Sequence, residues 1–231
     1  MLRIEHLQVG YGESMILRDV TMQIEPGQVV CLMGRNGVGK TTLMKSIMGL
    51  LKPKTGSIEY QDTIITNTPT DRRAKMGIGY VPQGRDIFSH LTVEENLLLG
   101  LEASVPRIKQ LPDSIFTMFP VLKEMLKRRG GDLSGGQQQQ LSIARALASK
   151  PKLLLLDEPM EGIQPSIVME IEQVIENIKR TREVAILLVE QSLAFATTIA
   201  DYYYVLDRGA IAAEGSAADL SEEQVKQHLT V

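Results

Sequence analysis

The sequence predicts an α/β fold built on a parallel sheet, with a helical subdomain inserted into it. Two observations carry that prediction. Nearly continuous apolar runs at 28–33, 78–81, 153–156 and 185–189 read as strands buried on both faces. A sheet covered by helices on each side leaves no wet face toward which its residues could alternate. Stretches of helical period separate these runs, the arrangement of βαβ units.

The first run leads into a predicted helix at 40–50. Between 86 and 150 no convincing strand occurs, only helix candidates. One is 93–101, where Thr92 and Glu95 spell a capping box. Another runs through 141–147 and would be capped by Ser134. A long helix is expected at 166–180, because Ile167, Val168, Ile171, Val174, Ile175 and Ile178 repeat at three- and four-residue spacing. The expected division is an α/β core from 1–85 and 151–231 and a helical subdomain at 86–150.

Composition excludes several classes of protein. The 231 residues, 43% hydrophobic and 23% charged, suffice for a globular core and exclude wholesale disorder. With 25 basic and 28 acidic residues the net charge is −3, so no nucleic-acid partner is expected. Cys31 is the only cysteine, which rules out a disulfide framework and fits a reducing compartment. The start, Met1-Leu2-Arg3-Ile4-Glu5-His6, lacks the apolar stretch of a signal peptide, and no apolar run is long enough to span a bilayer. Any membrane role is therefore expected to act through a partner. His6, His90 and His228 have no metal-ligand spacing and read as surface or packing residues.

The motif with the most specific chemistry is Gly34-Arg35-Asn36-Gly37-Val38-Gly39-Lys40-Thr41-Thr42. It matches G-x-x-x-x-G-K-[ST] and sits between a predicted strand and a predicted helix, as that motif requires. Its glycines let successive backbone N–H groups turn toward phosphate oxygens at a helix N-terminus. Lys40 would place a charge on the β- and γ-phosphates of ATP, and Thr41 would offer a hydroxyl to Mg²⁺. The run at 153–156 then delivers two adjacent carboxylates at the strand end where a nucleotide would lie. Asp157 is expected on the Mg²⁺ side, and Glu158 is placed to orient or deprotonate the attacking water.

Leu133-Ser134-Gly135-Gly136-Gln137, lying upstream of Asp157, makes the sequence resemble the ATP-binding subunits of ABC transporters, whose signature that pentapeptide is. The resemblance implies a P-loop NTPase core with a parallel sheet, an N-terminal antiparallel β part and an inserted helical subdomain, the ABC ATPase fold. It implies that Ser134, Gly135, Gly136 and Gln137 face the γ-phosphate held by a homologous ATP-binding subunit in a head-to-tail dimer. Tyr11 is similar to the aromatic that stacks on adenine. Gln83 resembles the Q-loop glutamine that reaches Mg²⁺ and water. Residues 85–101 match the segment on which a membrane permease subunit docks, with Phe88 and Leu91 as candidate contacts.

Two departures stand out. Most family members carry a histidine where this chain has Gln191, and the D-loop holds Met160 and Gln164 where a hydroxyl residue and an aspartate are common. Both departures look like the branch serving branched-chain amino acid and urea importers. The phosphate loop together with Glu161-Gly162-Ile163-Gln164-Pro165 most resembles the second ATP-binding subunit of urea importers. The implied function is an ATPase subunit at the cytoplasmic face of the membrane, with permease subunits as partners and an extracytoplasmic solute-binding protein as an indirect one. A soluble ABC ATPase acting on nucleic acid or the ribosome is the alternative of another class. It lacks support from tandem cassettes, long coiled coils or basic insertions.

Overall fold

The computed structural model describes residues 1–219. The end of the expected core segment, 220–231, and His228 with it, lie outside the described residues. The chain opens with a hairpin of β1 (Leu2–Tyr11) and β2 (Ser14–Ile24), followed by β3 (Val29–Met33), α1 (Lys40–Met48), β4 (Thr55–Tyr60), β5 (Thr63–Ile64), α2 (Thr70–Lys75) and β6 (Ile78–Val81). Helices then take over: α3 (Val93–Gly100), α4 (Asp113–Met118), α5 (Pro120–Glu124) and α6 (Gly135–Ala148). Strands and helices alternate again in β7 (Leu153–Asp157), α7 (Pro165–Thr181), β8 (Ala185–Val189), α8 (Leu193–Ile199), β9 (Tyr202–Asp207) and β10 (Ala210–Ser216).

All of the described strands join one ten-stranded sheet in the order β5-β4-β1-β2-β10-β9-β3-β8-β7-β6. The half from β9 to β6 is parallel, and the half formed by β5, β4, β1 and β2 is antiparallel. The seam is β10, antiparallel to β9 and touching β2 through the single pair Ala210 and Asp19. The expected parallel sheet is thus one half of a mixed sheet. The four runs read as buried strands are β3, β6, β7 and β8, and every residue of β3, β7 and β8 is buried. Their alternate residues feed opposite layers: Leu153 and Leu155 pack with α1 and the antiparallel strands, while Leu154 and Leu156 pack with α3, α6 and α7. The parallel order brings the carboxyl ends of β3, β6, β7 and β8 to one edge, where a ligand of such a sheet binds.

Between 86 and 150 the described backbone is helix and loop, apart from one isolated bridge between Thr92 and Arg129. The capping box at Thr92 and Glu95 is formed as the sequence predicts. The stripe on α7 is buried at Ile171, Val174, Ile175 and Ile178 and only half-buried at Ile167 and Val168. The helix expected at 40–50 stops earlier, at Met48, because Gly49 takes φ 81° and turns its N–H back onto the Lys45 and Ser46 carbonyls. Among the described residues no helix is long and apolar enough to cross a membrane.

Among the described residues Arg73 on α2 is the largest fully buried side chain, and sequence reading did not single it out. Its guanidinium donates to the carbonyls of Ser46 at 2.9 Å, Ile47 at 2.6 Å, Thr66 at 3.0 Å and Thr68 at 2.8 Å. Ser46 and Ile47 are in the last turn of α1, so the cation sits at the negative end of that helix, sharing the Ser46 carbonyl with the Gly49 N–H and supplying the Ile47 carbonyl with a donor. Arg73→Met is expected to destabilise the fold by about 3 kcal/mol, since it keeps the apolar stem but orphans buried carbonyls. Thermal unfolding of the two proteins measures this, and an unchanged midpoint would mean that water replaces the guanidinium.

Candidate functional site

The phosphate-loop motif spans the turn from β3 to α1. Gly39, the N-cap of α1, has φ 114°, and a Cβ there would lie 2.6 Å from Leu17 Cδ2, so only glycine fits. Lys40 is 5% exposed. Its ammonium donates to the Gly34 carbonyl at 2.8 Å and the Arg35 carbonyl at 3.0 Å and lies 3.5 Å from Glu158 Oε1. Arg35, Asn36 and Gly37 are exposed, Val38 and Thr41 half-buried, and Thr42 buried.

Asp157 closes β7 and is 1% exposed. Neither of its carboxylate oxygens has a hydrogen-bond partner in the chain. Burial raises its pKa above the ordinary carboxylate value, and the Glu158 charge adds to this. The nearby Thr41 hydroxyl and the Lys40 and Lys45 ammoniums pull it down. Thr41 is close enough to Asp157 to act on that charge but not in hydrogen-bonding geometry. A buried carboxylate beside a hydroxyl, with its oxygens unclaimed, is a hard-oxygen donor set of the kind that suits Mg²⁺.

Glu158 follows in the left-handed region, φ 50°, with its N–H bonded to the Val189 carbonyl at 3.2 Å. This turn keeps its side chain beside the phosphate loop. Two glutamine amides converge on its carboxylate. Gln83 Nε2 donates to Oε2 at 3.0 Å, and Gln191 Nε2 donates to Oε1 at 2.9 Å. Gln191 Nε2 also donates to Asn36 Oδ1 at 2.9 Å, joining the residue after β8 to the phosphate loop. Glu190 holds that residue in place, its Oε1 accepting from the N–H groups of Gln191 at 2.7 Å and Ser192 at 3.0 Å. With Lys40, these contacts gather loops from four strand ends around one carboxylate.

Sequence reasoning missed Glu190 and Glu161, whose Oε2 accepts from Gln83 Nε2 at 2.7 Å. Glu161 opens the 161–165 segment that carries the branch resemblance, but nothing in that segment assigned it a place at the site, and no motif marks Glu190. The signal shared by both was position, since each lies within three residues of a residue already chosen, Glu158 or Gln191.

The remaining expected residues lie apart from this cluster. Ser134 is the N-cap of α6, with Gln137 N–H donating to its Oγ at 3.3 Å and Ser134 N–H donating to Gln137 Oε1 at 3.0 Å. Among the described hydrogen bonds, none links Ser134, Gly135, Gly136 or Gln137 to the groups around Glu158. Tyr11, at the end of β1, is 51% exposed. Phe88 is also exposed, under the Arg145 guanidinium at 5.2 Å, but Leu91, expected to be exposed, is half-buried. Leu91 lies in a turn whose carbonyls are tied to the buried amide of Asn96. His6 and His90 are exposed, and His6 Nδ1 pairs with Asp19 at 3.0 Å.

Residues 17–161 match the family described as ABC transporter. The high-affinity branched-chain amino acid transport ATP-binding protein BraG of Pseudomonas aeruginosa is 41% identical over 95% of this chain and 94% of its own length. The lipopolysaccharide export system ATP-binding protein LptB of Acidithiobacillus ferridurans is 34% identical over 96% of this chain and 93% of its own. Among solved structures, a nucleotide-free ATP-binding cassette from an ABC transporter superposes with a TM-score of 0.83 at 29% identity, covering 99% of this chain and 94% of that one.

Proposed function

Because the chain belongs to the ABC transporter family, as one of its ATP-hydrolysing ATP-binding subunits, we propose that it drives solute import by a membrane permease from the cytoplasmic face. The observation that carries the reading is the convergence of Lys40, Gln83 and Gln191 on Glu158 beside the buried Asp157. The loop from Gly34 to Thr42 would cradle the phosphates, with Lys40 moving its donors from the Gly34 and Arg35 carbonyls to phosphate oxygens. Thr41 and Asp157 would hold Mg²⁺, with Gln83 reaching the same ion. When bound, Mg²⁺ would neutralise charge on the transferring phosphoryl group. Glu158 would accept the proton of the attacking water, and its two amide partners would hold the carboxylate in place.

Tyr11 would stack on the adenine. Ser134 to Gln137 would face the nucleotide of a homologous subunit, which accounts for a helix N-terminus with no described hydrogen bond to the groups around Glu158. The helical segment 86–150 would carry that signature, and the permease would dock at Phe88 and its neighbours.

We assign the solute to the small amides and amino acids. Urea is the reading that the phosphate loop and the 161–165 segment favour, and branched-chain amino acids are the reading that BraG favours. The relatives' differing cargoes fit a subunit that supplies work and leaves solute choice to other chains. Purifying the tagged chain from its native membrane and adding solutes to the co-purifying complex tests this. Permease subunits with ATPase activity stimulated by urea support the first reading, and stimulation by leucine supports the second. Ribosomes or nucleic acid without a permease would overturn import altogether.

Gln191 can donate hydrogen bonds to a phosphate, but it cannot carry charge. Gln191→His is expected to raise the ATPase rate by about threefold. An unchanged rate would show that the amide suffices.

A further inference from the structure

Glu161 has no part in the function proposed above, yet it sits closer to Gln83 than Glu158 does. One amide nitrogen, Gln83 Nε2, donates to Glu161 Oε2 at 2.7 Å and to Glu158 Oε2 at 3.0 Å. The turn explains how two carboxylates reach one nitrogen. The Glu161 N–H donates to the Glu158 carbonyl at 3.2 Å, closing an i to i+3 turn that brings the two residues close together. The left-handed φ of Glu158 starts that turn at the end of β7 and aims the pair across the sheet edge toward the loop after β6.

A carboxamide has two donors on its nitrogen and only acceptors on its oxygen. Two carboxylates on the nitrogen side consume both donors. They also exclude the reversed amide, which would set its carbonyl oxygen against two negative charges. With Glu158 alone, one N–H would be uncommitted and the amide would be free to turn. We propose that Glu161 is a positioning residue that locks the Gln83 amide, nitrogen toward Glu158 and carbonyl oxygen away from the carboxylates. It acts through Gln83 and touches no reacting atom. The inference rests on the roles assigned to Glu158 and Gln83 in the proposed function.

The lock is testable on the full chain without nucleotide. In ¹⁵N-labelled protein the Gln83 side-chain amide pair is identified by its loss in Gln83→Ala. In Glu161→Ala its protons are expected to exchange with water about tenfold faster, because the committed donor is released. In the ATPase assay Glu161→Ala is expected to lower kcat roughly tenfold at unchanged KM for ATP, as the loss of a partner that orients a ligand does. Glu161→Gln, whose side chain is still an acceptor, recovers part of that loss. In a Gln83→Ala background Glu161→Ala should cost nothing more. Unchanged amide exchange, or the same fold loss in the Gln83→Ala background, would overturn the proposal. A Lys40→Ala chain that still bound ATP would instead overturn the functional reading, leaving the amide lock to stand on its exchange rate.

Discussion

Replacing Glu158 by glutamine is expected to slow ATP turnover by about a thousandfold while leaving ATP affinity within about threefold of its original value. The carboxylate is placed to accept a proton from the attacking water, and its oxygens take hydrogen bonds from two amides and face the Lys40 ammonium. A glutamine there keeps the size and one acceptor oxygen but cannot take the proton. Its own N–H₂ would also face the donors of Gln83 or Gln191, so one of those amides loses its partner. Binding should be spared, because Glu158 lies 3.5 Å from the Lys40 ammonium that the phosphates would claim, and its neutralisation makes that cation no less available. Single-turnover hydrolysis together with equilibrium binding of ATP separates the two effects. Unchanged turnover would remove Glu158 from the role of base.

Lys40→Ala is expected to do the opposite, weakening ATP binding itself by about a hundredfold, close to 2.7 kcal/mol. Lys40 is 5% exposed and its ammonium is held by the Gly34 and Arg35 carbonyls, so it is preorganised where the loop turns and loses little freedom on meeting phosphate. Its loss also leaves the Glu158 carboxylate, 11% exposed, without its nearest cation, which adds repulsion against the incoming phosphates. Calorimetric titration with ATP measures the change, and unaltered affinity would remove the phosphate-loop reading. The two variants together distinguish a group that binds from one that reacts.

The parts of the site legible in the sequence are those in which a local pattern carries the physics. A glycine-rich turn between strand and helix, a carboxylate pair at the end of an apolar run, and a serine capping a helix are short-range features. Each found its expected place: the phosphate loop ends on α1, Asp157 closes β7, and Ser134 caps α6. The strands β3, β6, β7 and β8 were legible for the same reason, since burial on both faces writes itself as an unbroken apolar run. Strands β9 and β10 were not individually legible, and neither was the seam that β10 makes between the two halves of the sheet, because one bridging pair leaves no periodicity to read.

By itself, then, the sequence determined the glycine-rich turn before α1, the two carboxylates at the end of β7, the serine-capped helix α6 and the strand runs that carry them. Only the tertiary structure decided the hydrogen bonds that side chains make to distant parts of the chain. Gln83 meets Glu158 and Glu161, Gln191 meets Asn36 and Glu158, and Arg73 meets the end of α1, each pairing linking residues far apart in the chain. The physical reason is the sheet order. It places β3, β8, β7 and β6 side by side, so that loops distant in sequence leave the sheet at one edge, and that order follows from packing both faces at once.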